Sequence, residues 1–122
     1  MTKQLIIVVD DDPGMLEAIE RLLVAHGFDV EFFASGDALR ARGRLEDARC
    51  LILDVNIPGG TGIELRRRLA SAGISVPVIY ITGNGSDIVR KDALASGCVG
   101  YLLKPFKAAS LIEAIEKTQD TE

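Results

Sequence analysis

The sequence predicts an α/β domain: a five-stranded parallel sheet, doubly wound by five helices in a (βα)5 repeat. Short apolar runs such as Leu5–Val9 and Leu51–Leu53, bounded by turn signals, fit strands buried on both faces. Segments with helical spacing alternate with these runs, and each connection is long enough for a right-handed crossover. Asp10, Asp11, Asp54, Thr82 and Lys104 all fall at strand ends, on the edge where open α/β sheets bind ligands. With 122 residues, the chain reads as one domain over 1–122 with a core of about 4–118.

Taken in order, Leu5–Val9 forms the first strand and ends in Asp10-Asp11-Asp12-Pro13. Asp12 suits the N-cap and Pro13 the first position of a helix whose inner face carries Met15, Leu16, Ile19, Leu22 and Leu23. His26 stands in its last turn, where a cation suits the dipole, and Gly27 ends it. Asp29–Phe33 is short and alternating, as an edge strand would be. Ser35-Gly36 opens a weaker helix around Ala38 to Leu45, and a loop runs on through Arg49. The central strand, Cys50–Asp54, leads through a Pro-Gly-Gly loop into a helix from about Gly62 to Ala72. Its Arg66-Arg67-Arg68 reads as a solvated face. Pro77–Thr82 is the fourth strand, and a poorly amphipathic helix follows from about Asp87 to Ser96. Gly100–Lys104 is the fifth strand. The turn context of Lys104-Pro105 suits a cis peptide. A last helix from about Ala108 to Lys117 lacks a good cap at Lys107, and the end is expected to fray through Asp120-Thr121-Glu122.

Composition narrows the function classes. Apolar residues make up 48% and charged residues 26%, ordinary values for a globular protein, and the net charge of -4 argues against a nucleic-acid surface. The apolar run near the N-terminus is too short for a signal peptide or a membrane span, so a cytoplasmic protein is expected. Cys50 and Cys98 lie far apart without C-x-x-C spacing and read as reduced structural thiols.

Three carboxylates gathered at one edge, Asp10, Asp11 and Asp54, repel one another unless a cation joins them. Oxygen-only ligands with room for water suit Mg2+. Lys104 supplies a compact positive charge and Thr82 a hydroxyl, both fitting a phosphoryl group carried on Asp54. An aspartate nucleophile forming an acyl phosphate, helped by positioning and electrostatics, is the chemistry these residues suggest.

The motifs VVDDDP, LILDVNIPGGTG, the ITG of the fourth strand and YLLKPF, at these spacings, resemble the receiver domain of bacterial two-component response regulators, most closely receivers of the FixJ type. The resemblance spans Leu5 to about Lys117 and implies the flavodoxin-like strand order 2-1-3-4-5. It implies that a sensor histidine kinase phosphorylates Asp54. Asp11 and Asp54 would bind Mg2+ through their carboxylates, Asn56 through its backbone carbonyl and Asp10 through water. Lys104 would hold a phosphoryl oxygen, and Thr82 with Tyr101 would form the switch pair that remodels the face of the fourth helix, fifth strand and fifth helix. The implied partners are the kinase, an output domain or separate protein that this face controls, DNA-binding in some regulators, and a second copy in a phosphorylation-dependent homodimer. Neither direct nucleic-acid binding nor a membrane is implied. The small side chains of Asn56 and Asn84 imply an open path for hydrolytic water and a short-lived aspartyl phosphate.

Three rivals stand beside this reading. A Mg2+-dependent phosphatase or phosphotransferase would use Asp54 as a turnover nucleophile, but Asn56 stands where a second acid would be wanted. A flavin or nucleotide carrier would need a Gly- or Ser/Thr-rich loop where this chain has Asp10-Asp11-Asp12. A degenerate receiver serving only as a binding module is not favoured, since every residue for phosphorylation is present. The expected protein is a signalling switch that catalyses only its own phosphorylation and dephosphorylation, not a conventional enzyme.

Overall fold

The structure, a computed structural model, describes residues 4–83 and 85–118. In chain order its elements are β1 (Leu5–Val9), α1 (Pro13–Ala25), β2 (Asp29–Phe33), α2 (Gly36–Arg42), a 3-10 turn at Leu45–Asp47, and β3 (Cys50–Asp54). There follow β4 (Asn56–Ile57), β5 (Gly60–Thr61), α3 (Gly62–Ser71), β6 (Val78–Thr82), α4 (Asp87–Ala95), β7 (Gly100–Leu103) and α5 (Ala108–Glu116). The main sheet is parallel, with order β2-β1-β3-β6-β7. Counted over its own five strands this is the expected 2-1-3-4-5, with β2 at an edge.

Strand residues alternate between two apolar layers, as the two-residue period of a strand requires. Ile6, Val8, Cys50, Ile52, Ile79 and Ile81 pack with Ile19 and Leu23 of α1 and Leu111 and Ile115 of α5. Ile7, Val9, Leu51, Leu53, Val78 and Tyr80 pack on the other side with Leu39 of α2, Leu65 and Leu69 of α3, and Ala93 of α4. A one-residue slip of any central strand would exchange its layers, so the register is held by both at once. Each fully buried Leu or Ile contributes roughly 1.5–3 kcal/mol, against at most about 1 kcal/mol for an exposed ion pair, so these layers dominate stability.

Helix ends follow their local chemistry. The Asp12 carboxylate accepts hydrogen bonds from Gly14 N at 3.0 Å and Met15 N at 3.5 Å, and Pro13 follows it, as expected. His26 caps the other end of α1, its Nδ1 3.0 Å from the Leu22 carbonyl oxygen. Thr61 and Glu64 form a reciprocal capping box at the start of α3. At the amino edge of the sheet, Arg49 places its guanidinium 5.3 Å from the Phe28 ring centroid and donates from Nε to Thr118 Oγ1 at 3.1 Å. That contact ties the start of β3 to the residues after α5.

Three local expectations are corrected or sharpened. The second helix stops at Arg42, not Leu45, because Gly43 (φ 70°) and Arg44 (φ 52°) turn left-handed and release Leu45 into the 3-10 turn. Arg42 secures this corner, donating to Glu31, Asp47 and the carbonyls of Gly43 and Arg44. The Pro-Gly-Gly loop closes as an antiparallel pair, β4 with β5, which periodicity cannot reveal in two-residue strands. The arginine run is not uniformly solvated: Arg67 pairs with Asp92 of α4 at 2.6 Å, and Arg66 is half-buried with its Nε unpartnered. The Lys104–Pro105 peptide is cis, and Lys107 at the start of α5 makes no side-chain cap bond. Asn84 and the fraying expected at Asp120-Thr121-Glu122 lie outside the described residues.

Candidate functional site

The parallel register brings distant residues to one edge. Val9 stands beside Leu53, Asp54 beside Ile81, and Thr82 beside Leu103, so Asp10, Asp54, Thr82 and Lys104 all emerge at the carboxyl end of the sheet. The backbone continues the ladder into the site: Asp10 N donates to Phe33 O at 3.1 Å, Val55 N to Ile81 O at 3.0 Å and Lys104 N to Thr82 O at 2.8 Å. The acids are therefore placed by strand pairing, and the strands themselves by the two apolar layers.

Asp10 is fully buried, Asp54 is 6% exposed and Thr82 is fully buried. Lys104 Nζ lies between the two carboxylates, 2.8 Å from Asp54 Oδ2 and 3.2 Å from Asp10 Oδ2. The second oxygens are also held: Asp54 Oδ1 accepts from Asn56 N at 2.9 Å and Asp10 Oδ1 from Asp12 N at 3.0 Å. Burial, assisted by the neighbouring charge of Asp54, pushes the Asp10 carboxyl above the usual carboxylate value, although the Asp12 amide and Lys104 pull the other way. Burial works against the Lys104 ammonium, but its hydrogen bond to Asp54 and the charge of Asp10 outweigh that and raise its pKa.

Asp10, Asp54 and Lys104 are thus in direct contact, and Thr82 joins them through the backbone. Asp11 is exposed beside Asp10, and Asn56 is exposed beyond Asp54. Tyr101 pairs with Tyr80 in the register of β7, is half-buried, and lines a surface recess with Arg90, Leu103, Phe106 and Ser110. The sequence suggests a carbonyl role for Asn56 and, through its small side chain, an open path for water, but not its N–H as a clamp on Asp54. The turn after a strand-end Asp was the available signal, since such carboxylates commonly accept from the amide two residues on.

Among the described residues, no group of three His, Cys, Asp or Glu side chains is gathered into a metal cage. The donor chemistry nevertheless fits a hard cation of the Mg2+ type, which takes one or two carboxylates and completes its octahedron with carbonyl oxygen and water. Two carboxylates already sharing an ammonium make a site built around positive charge.

The profile of the response regulator receiver domain matches residues 6–116. The chain belongs to that family. Among its relatives, the response regulator protein TmoT of Ectopseudomonas mendocina is 37% identical over 114 residues, covering 93% of this chain and 51% of the relative. The transcriptional regulatory protein FixJ of Rhizobium meliloti (strain 1021) is 32% identical over 120 residues, covering 98% of this chain and 59% of the relative. Receiver structures agree: FixJ-N superposes with a TM-score of 0.85 at 32% identity, covering 97% of this chain and 94% of that one. The response regulator StyR gives 0.88 at 35% identity, covering 95% and 59%. This receiver therefore has a FixJ-like relationship in both sequence and fold, while spanning about half the length of the curated relatives it matches.

Proposed function

We propose that this receiver is a phosphorylation switch in which Asp54 accepts a phosphoryl group from a phosphohistidine of a sensor kinase. The observation that carries the reading is the clamped carboxylate: Asn56 N–H on one oxygen and Lys104 Nζ on the other fix Asp54 before any donor arrives. Transfer forms a bond from phosphorus to an Asp54 oxygen as the phosphorus–nitrogen bond of the donor breaks. The imidazole leaves with the electron pair and takes a proton from solvent. Lys104 is already placed to meet a phosphoryl oxygen, and its raised pKa keeps it charged while it does so. Positioning and electrostatics supply most of the catalysis in such transfers.

Asp11, Asp54 and the Asn56 carbonyl would hold Mg2+, with Asp10 acting through water. The bound ion would neutralise charge on the phosphoryl oxygens. The Thr82 hydroxyl would then engage the phosphoryl group and Tyr101 would turn inward, remodelling the face of α4, β7 and α5. Ile88 (82% exposed) and Leu103 (48%) give that face apolar surface suited to an output domain or to a second copy. No helix among the described residues is long and apolar enough to cross a membrane, in keeping with a cytoplasmic switch. Its chemistry would be confined to its own phosphorylation and dephosphorylation. No observation favours turnover of free phosphoesters.

Intact mass after incubation with Mg2+ and acetyl phosphate tests the reading. One phosphoryl adduct is expected on the native protein and none on Asp54→Asn. An unmodified native protein with Mg2+ bound would overturn it.

A further inference from the structure

We infer that Gly62 is a positioning residue for the phosphoacceptor: the missing side chain lets the first turn of α3 abut the Asp54 carbonyl and so sets where the carboxylate projects. The inference rests on the phosphoacceptor reading above. A β-carbon at Gly62 would stand 2.4 Å from Asp54 O, 3.2 Å from Asp54 C and 3.3 Å from Leu53 Cβ. Gly62 does not have a positive φ, so the requirement is for space and not for conformation. It is also buried, and its N–H donates to Val55 O at 2.8 Å, which holds the start of the helix against the end of the strand.

Other crowded glycines differ in what they meet. A β-carbon at Gly60 would touch the end of the flexible Glu64 side chain, and one at Gly36 would touch Leu65 Cδ1 at 3.3 Å. At Gly62 the obstacle is the backbone of Asp54 itself, which cannot move freely because its strand pairs with β6 and Val55 N bonds Ile81 O. Relief requires α3 to lift or the Asp54 peptide to rotate by about 1 Å, and a misplacement of that size costs about 100-fold in rate where transfer depends on alignment. The clamp from Asn56, two residues on, would shift with it.

The experiment measures the maximal rate of acyl-phosphate formation from acetyl phosphate at saturating Mg2+, per folded molecule by circular dichroism, for native protein, Gly62→Ala and Gly36→Ala. Gly36→Ala disturbs packing without touching Asp54 and serves as the stability control. The expected result is a loss of about 100-fold in Gly62→Ala alone, with the Asn56 amide resonance displaced. A native-like rate in Gly62→Ala, an equal loss in both variants, or a Gly62→Ala that does not fold under any condition assigns Gly62 to the fold and overturns the inference. A native protein that takes no phosphoryl group overturns the phosphoacceptor reading instead.

Discussion

Asp10 has no exposure to water, and its charge is supported by one lysine, one backbone amide and the hard cation its chemistry invites. Because burial raises its pKa, the fold without a divalent ion disfavours the ionised form. A neutral isostere relieves that cost. Asp10→Asn is therefore expected to raise the urea midpoint measured in EDTA and to weaken Mg2+ binding in calorimetry. A lower midpoint would show that the Lys104 pair outweighs desolvation. Few residues of a fold are improved by losing their charge, and those that are commonly belong to sites that hold ions or do chemistry.

At the scale of elements, the helices are secured unequally. The amino ends of α1, α2, α3 and α4 are capped by Asp12, Ser35, Thr61 and Ser86, whereas Lys107 at α5 caps nothing. Lys107→Ser is expected to stabilise the protein by about 1 kcal/mol, read as a higher midpoint in urea, since it supplies an acceptor to a free helix N-terminus and removes a cation from its positive end. An unchanged midpoint would mean that water already satisfies those amides. Helix α4 is tied by further side chains as well. The Tyr80 hydroxyl lies 2.7 Å from Ser96 Oγ, which donates to Ala93 O, and Asp92 holds Arg67 of α3. These ties fasten one flank of the face assigned to switching, so its resting position is set from α3 and β6 as well as from the phosphorylation site.

For the molecule as a whole, stability at alkaline pH offers a test of how dry the sheet is. Cys50 sits at the start of β3 with no exposure, and burial pushes its thiol from the ordinary 9.0 up to about 12. The unfolded chain then loses its thiol proton first, so this contribution is complete below pH 9 and drains away as pH rises toward 12. At 1.36 kcal/mol per unit, the loss reaches about 2 kcal/mol by about pH 10.5. Urea midpoints across that range should fall more steeply in the native protein than in Cys50→Val, and parallel slopes would count against the assignment. Much of this architecture was legible because layer membership follows from strand parity and strand ends carry the acids. The end of α2 and the β4–β5 pair were not, because left-handed Arg44 and two-residue strands leave no periodic trace. The arrangement of Lys104 between Asp10 and Asp54 could be expected as proximity, but the backbone clamps from Asn56 and Asp12 depend on turn geometry. Half-burial of Arg66 depends on its lying near Gly97 and Cys98, beyond the end of α4, which no local pattern encodes. The Arg49 contact at the opposite edge has a mechanical meaning. A force applied to the chain after Thr118 meets this hydrogen bond before it reaches the last turn of α5, so the start of β3 shares the load that would otherwise unwind the helix from its end.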